Sequence, residues 1–122
     1  MNEVTITLSL PDKSLSPNAR VHWAEKARVV KHHRHAAYVT AVTALKTGPR
    51  WPQATLHITA YFRTSRMPDA DNFIASLKAY CDGIADAGII ENDRGLWPAR
   101  PKFHKDSQRP RVELRIVRDD EP

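Results

Sequence analysis

Cysteine is almost missing from these 122 residues: Cys81 stands alone. A single thiol excludes an intrachain disulfide and any cysteine-built metal site. Long apolar runs are missing as well. No stretch approaches the roughly 20 apolar residues that span a bilayer. Met1 to Leu10 alternates polar and apolar residues, with neither the basic start nor the apolar block of a secretion signal. These absences predict a soluble, cytoplasmic protein. There are no internal repeats and no low-complexity segments. With 41% apolar and 27% charged residues the composition is ordinary for a globular chain, and the length predicts one domain over 1–122.

Acids are scarce where bases are plentiful. Between Lys13 and Arg50 the basic residues are Lys13, Arg20, Lys26, Arg28, Lys31, Arg34, Lys46 and Arg50, opposed by Glu25 alone. Between Arg94 and Arg118 only Asp106 and Glu113 oppose a second basic block. From Asp69 to Asp93 the balance is the reverse: Asp69, Asp71, Asp82, Asp86, Glu91 and Asp93, with Lys78 as the one base of that stretch. The formal net charge is +5. Carboxylates flanked by basic segments suit an enzyme acting on a polyanion, because the bases hold phosphates and the acids hold a cation. Charge alone equally allows both blocks to be solvated surface.

Periodicity predicts an α+β domain, a small and partly antiparallel sheet covered by two main helices. Val4, Ile6, Leu8 and Leu10 alternate as a half-buried strand that ends at Pro11. A loop of two prolines and two serines follows. A helix is expected from near His22 to Lys46, stopping at Gly48-Pro49, with Trp23, Ala27, Val30, Ala37, Tyr38, Ala41 and Leu45 as its apolar stripe. Leu56, Ile58, Ala60 and Phe62 mark one face of a second strand. A second helix should start between Asp69 and Asn72 and run to about Ala87, with Phe73, Leu77, Tyr80, Cys81 and Ile84 buried. The segment Trp97 to His104 holds Pro98 and Pro101 and reads at best as an edge strand. Arg111 to Arg118 is a strand with Val112, Leu114 and Ile116 inward, and the tail from Asp119 is expected to fray.

The chemistry concentrates in Met67 to Leu96. On a helical wheel Asp71, Lys78 and Asp82 share the face opposite the apolar stripe. Asp69 sits at the strand-to-helix corner behind Pro68, and Asp93 lies in the loop beyond the helix. Magnesium takes hard oxygen ligands and keeps several waters, so a few carboxylates suffice. Asp-x-Asp at a helix start supplies two of them on a fixed corner. Such a metal activates water, polarises a phosphate and neutralises the leaving oxygen, while Lys78 can stabilise charge developing on phosphorus. Each piece also has a plainer reading. Asp69 or Asp71 can be an N-cap, Lys78 and Asp82 an exposed i, i+4 pair, and Asp93 a turn residue beside Asn92 and Gly95.

The run Pro68-Asp69-Ala70-Asp71-Asn72, followed by Lys78, Asp82, Gly88 and Asp93, resembles the core signature of RusA-type Holliday-junction resolvases. Ser16-Pro17-Asn18-Ala19-Arg20-Val21-His22-Trp23, opening a helix after a strand, is similar to that family's Asn- and Arg-containing loop. The resemblance covers most of the chain. It implies a RusA-like single domain and a Mg²⁺-dependent endonuclease (Mn²⁺ substituting) with no organic cofactor. It implies Asp69, Asp71 and Asp93 as metal ligands, Lys78 as the catalytic lysine, and Asp82 as an accessory acid of unassigned role. Its substrate would be branched DNA, cut symmetrically at four-way junctions by a homodimer, in a bacterium or a phage-infected host. In the best-known form the lysine falls four residues after the second aspartate, whereas Lys78 falls seven after Asp71. Asn92 stands where the family often carries a further Asp.

Arg20, His22, Lys26, Arg28 and Lys31 are candidate phosphate contacts, with Arg100, Lys102, Lys105 and Arg109 as a second group. Ordinary solvated faces are the plain alternative. The run His32, His33 and His35 lacks the spacing partners of a zinc site, and Trp23 reads as core before it reads as a base-stacking wedge. Two other functions stay open. One is a non-catalytic basic protein that binds DNA junctions or shapes DNA in a phage. The other is an RNA-directed nuclease with the same metal chemistry.

Overall fold

Period-2 alternation sets the inner face of the sheet. In the computed structural model, which describes residues 2–45 and 47–119, Val4, Ile6 and Leu8 of β1 (Glu3–Leu8) turn inward. So do Ala54, Leu56, Ile58 and Ala60 of β2 (Ala54–Phe62) and Val112, Leu114 and Ile116 of β5 (Arg111–Arg118). β5 runs antiparallel to both β1 and β2, which makes it the central partner of the two. The segment between Leu96 and Lys105 gives two short strands where one edge strand was expected. β3 (Leu96–Pro98) and β4 (Lys102–Lys105) both pair parallel with β2, separated by Ala99, Arg100 and Pro101. Proline lacks the N–H that a continuous ladder needs, so the edge breaks there. The fold is α+β, with a mixed five-stranded sheet and helices on one of its faces.

α1 (Trp23–Ala44) starts one residue after His22, whose Nδ1 accepts the Ala24 N–H at 3.2 Å and caps the helix. The expected end at Lys46 lies outside the described residues. Its apolar stripe is mostly not buried. Only Ala37 and Ala41 are, and Trp23 is 77% exposed. Every residue from His22 to Arg28 faces solvent. The reason is geometric: 22 residues extend roughly 33 Å at about 1.5 Å per residue, and the nine of its partner helix reach less than half as far.

The second helix is broken. α2 (Ala70–Ser76) and α3 (Lys78–Asp86) meet at Leu77, whose φ of −89° and ψ of 1° leave the helical region. The buried Ser76 hydroxyl donates to the Phe73 carbonyl at 2.6 Å, and the Leu77 N–H bonds only three residues back, to Ile74. A polar side chain with no other partner thus competes for backbone and tightens the turn. The apolar stripe survives the break: Phe73, Leu77, Tyr80 and Ile84 are buried and Cys81 is partly so. Phe62, Phe73 and Phe103 pack edge to face at 5.3 to 5.5 Å, tying α2 to the ends of β2 and β4.

Asp119, expected to fray, is held. Its N–H donates to the Gln53 carbonyl and its carboxylate accepts from Thr55 at 2.7 Å. Residues 120–122 of the expected tail lie outside the described residues. No helix among the described residues is long and apolar enough to cross a membrane.

Candidate catalytic and metal-binding site

Lys78 is the first residue of α3, so its side chain leaves the helix at the break. Its ammonium donates to Asp82 and to Asp93, each at 2.7 Å. Asp82 lies one turn along the same helix, where i, i+4 partners meet. Asp93 comes from the loop fifteen residues on and depends on a separate set of restraints. The Arg50 and Trp51 N–H groups donate to the Gly88 and Ile89 carbonyls, and the Glu91 N–H donates back to Trp51. Gly88 takes a positive φ of 81°, which turns the chain away from α3. Asn92 then caps a 3₁₀ turn (Asp93–Gly95) by accepting the Arg94 N–H at 3.0 Å. Gly95 closes against the Pro52 carbonyl, where a Cβ would come to 2.2 Å. Asp93 is therefore presented by a hydrogen-bonded corner, and Asn92 has a structural task as its cap.

The same ion pairs set the charge states. Hydrogen bonding to Lys78, then its positive charge, holds the Asp93 carboxyl below the usual carboxylate range. The bonds to Asp82 and Asp93 push the Lys78 ammonium up. Burial pushes the Cys81 thiol beside them up to about 12, so it stays protonated and is no nucleophile.

Lys78, Asp82 and Asp93 line a polar cleft of about 440 Å³ together with Arg34, Asp86, Glu91 and Asn92. Arg34 of α1 grips Asp86 of α3 with two bonds, of 2.6 and 2.8 Å, which hold Asp86 below its ordinary range. Sequence reasoning did not find this pair, because the partners are 52 residues apart and neither carries a local signal. It removes Arg34 from the bases open to a polyanion.

Asp69 and Asp71 stand at the start of α2. Asp69 occupies the N-cap position, yet its side chain makes no capping bond. Asp71 is exposed in the first turn. Among the described residues neither carboxylate accepts a hydrogen bond, so the plain capping reading accounts for neither. Ala75, one turn beyond Asp71 on the same face, lines a smaller cleft of about 260 Å³ with Ile74, Lys78, Cys81 and Asp93. Ala75 is four residues after Asp71 and Lys78 seven. Positions 75 and 78 thus border one cleft despite the break.

The donor set suits a divalent cation in kind, since all these groups are hard carboxylate oxygens. Asp82 and Asp93 already share one cation, the Lys78 ammonium. In number the set is open: among the described residues no three His, Cys, Asp or Glu side chains are grouped as an ion-binding set. Asp69 and Asp71 at the start of α2 and Asp93 in the loop after α3 are not gathered into one such set.

The basic candidates divide in two. Arg20, His22, Lys26, Arg28 and Lys31 lie in or before the exposed half of α1. His22 is committed to its cap and stacks on Trp23 at 5.6 Å. Arg100, Lys102, Lys105 and Arg109 are exposed on and around β4, and none of these nine residues makes an ion pair among the described residues. Arg111 differs. It sits 3.8 Å over the Tyr61 ring and bonds Asp106 and Glu113, so it braces the sheet. Of the three histidines, His33 is taken by the fold: the Asp12 N–H donates to its Nε2, and the ring stacks on Tyr80 at 4.9 Å.

No family model matches the chain. An uncharacterized protein of Xylella fastidiosa (strain Temecula1) is 44% identical over 93 residues, which cover 74% of this chain. The aligned stretch spans 61% of that relative's length.

Proposed function

We propose that the chain is a Mg²⁺-dependent DNA endonuclease of the RusA type, acting as a homodimer on four-way junctions and other branched DNA. The observation that carries this reading is the Lys78 ammonium 2.7 Å from both Asp82 and Asp93. It joins a lysine and a loop aspartate that the sequence resemblance pairs in function and that have no local reason to meet. The uncommitted carboxylates of Asp69 and Asp71 add support.

Asp69, Asp71 and Asp93 would hold the metal, which supplies polarisation of the phosphate and neutralisation of the leaving oxygen. Asp93 reaches that role by exchanging its Lys78 contact, which leaves Lys78 tethered to Asp82 alone. The Lys78 ammonium, raised and protonated at neutral pH, can then stabilise charge on the scissile phosphate. Asp82 acts as a positioning residue that keeps the lysine at the cleft mouth. The exposed start of α1 and the β4 region supply phosphate contacts that orient the duplex arms without reading sequence.

A second reading rests on one observation, the absence of a closed acid shell among the described residues. In that reading the chain binds junctions without cutting them. Incubating a synthetic four-way junction with the purified protein separates the two. Paired symmetric nicks that require Mg²⁺, stop with EDTA and vanish in Asp71→Asn support the endonuclease. Tight binding without nicks under Mg²⁺ or Mn²⁺ refutes it and favours the binding module. Cleavage of RNA in preference to the junction would redirect the substrate class.

A further inference from the structure

A second cleft lies outside the polar one, and its lining is more apolar. A cleft of about 460 Å³ opens where three segments meet: the turn after β1, the end of β2, and the approach to α2. That volume is in the ordinary range for small-ligand sites. Phe62 and Phe73 line it, their rings edge to face at 5.5 Å. Met67, 38% exposed, forms a wall. Lys13 and Arg66 lie on its border, both exposed and neither in an ion pair among the described residues. Asp12 also borders the cleft, but its carboxylate accepts the Ser14 N–H at 2.9 Å and is spent on the local turn.

The position of the cleft matters as much as its lining. Pro68 and Asn72, which immediately flank the Asp69-Ala70-Asp71 corner, both line it. Ser16, the first residue of the Ser-Pro-Asn loop singled out in the sequence, lines it too. An occupant must therefore offer a flat apolar body to the aromatic lining and negative charge to Lys13 and Arg66. It must also continue as a chain past the aspartate corner. A nucleobase turned out of its stack, still attached to the phosphodiester backbone, meets all three conditions.

We propose that this cleft seats one unstacked base of the strand being cut, with Lys13 and Arg66 on its flanking phosphates. The proposal rests on the endonuclease reading for its substrate class. It also supplies a physical source of structure selectivity: turning out a base costs less where stacking and pairing are weakened, and a branch point interrupts the continuous stack of a duplex.

The test uses the full chain in EDTA and a four-way junction carrying 2-aminopurine beside the branch. A duplex carrying it mid-helix is the control, and the anisotropy of an end label reports binding. The expected result is a rise in 2-aminopurine fluorescence on binding the junction and little change with the duplex. Met67→Trp, which fills an exposed part of the cleft, should remove the rise while far-UV circular dichroism stays unchanged. Arg66→Ala should lower the slope of log affinity against log salt by about one. A bound junction with no rise, or a rise undiminished in Met67→Trp, overturns the base site. The endonuclease reading would then still be judged by Mg²⁺-dependent nicking of the same junction. A rise without any nicking keeps the base site and removes the nuclease. Failure to bind either DNA overturns the proposal outright.

Discussion

Gly83 carries the contact between α1 and α3, and replacing it with alanine tests the packing that positions Asp82. A Cβ at this position would come to 2.2 Å from the Arg34 carbonyl oxygen, 2.8 Å from the Ala37 Cβ and 3.0 Å from the Tyr38 nitrogen. Two of these three atoms are backbone of α1, so no rotamer change relieves the clash. Restoring ordinary contact requires the helices to part by roughly 1 Å. That opening loosens Ala37, Ala41 and Ile84, all at 0% exposure. Overpacking of this kind costs up to about 3 kcal/mol. Better helix propensity returns about 1 kcal/mol. The net loss is about 2 kcal/mol, and for a chain of this size each kcal/mol moves Tm by roughly 4 °C. Gly83→Ala should therefore melt about 8 °C below the parent by circular dichroism, given the scale of those two costs. An unchanged or higher Tm would refute the argument, because it would mean that α1 does not approach α3 at Gly83.

Lys78→Met should abolish Mg²⁺-dependent junction nicking and leave Tm nearly unchanged, since the lysine side chain is 66% exposed and exposed ion pairs contribute little; retained nicking would remove Lys78 from the mechanism. Because Ala75 and Lys78 border one cleft, Ala75→Lys combined with Lys78→Ala should recover part of the nicking that Lys78→Ala alone loses, and no recovery in a folded double variant would show that the two positions are not equivalent. Burial holds His33 below its ordinary value of 6.5, opposed by the Val29 carbonyl and Asp12. A depressed value in the folded state means that its contribution is complete above 6.5 and is lost as pH falls through the folded value. The urea midpoint should accordingly be lower near pH 5.5 than near pH 7.5, with a smaller difference in His33→Gln; equal slopes would assign the dependence elsewhere. Gly95→Ala should displace Asp93 by forcing its turn off the Pro52 carbonyl, which nicking assays would read as lost activity with the fold retained.

Strand faces were legible from sequence because their code is local. Val4, Ile6 and Leu8, then Leu56, Ile58 and Ala60, then Val112, Leu114 and Ile116 alternate as the backbone pleat demands, and all are buried. The buried stripe Phe73, Leu77, Tyr80 and Ile84 was legible for the same reason, although the break at Leu77 was not. That break follows from the Ser76 hydroxyl, which had to be buried before it turned to the Phe73 carbonyl. The α1 stripe failed differently. Trp23, Ala27 and Tyr38 keep helical spacing, yet all three are exposed, because periodicity says which residues share a face and nothing about whether another element lies against it.

The site divides along the same line. The sequence by itself determined the acid-rich stretch, the Asp-x-Asp corner at a helix start, and Asp93 in a loop; each follows from residue type and short-range spacing. Only the tertiary structure decided that Lys78 bonds Asp93, that Arg34 is taken by Asp86, and that Phe62, Phe73 and Met67 enclose a cleft beside the aspartate corner. Those contacts join residues brought together by the sheet and by the α1–α3 packing. They depend on the summed burial of a whole core, which no window of neighbouring residues encodes.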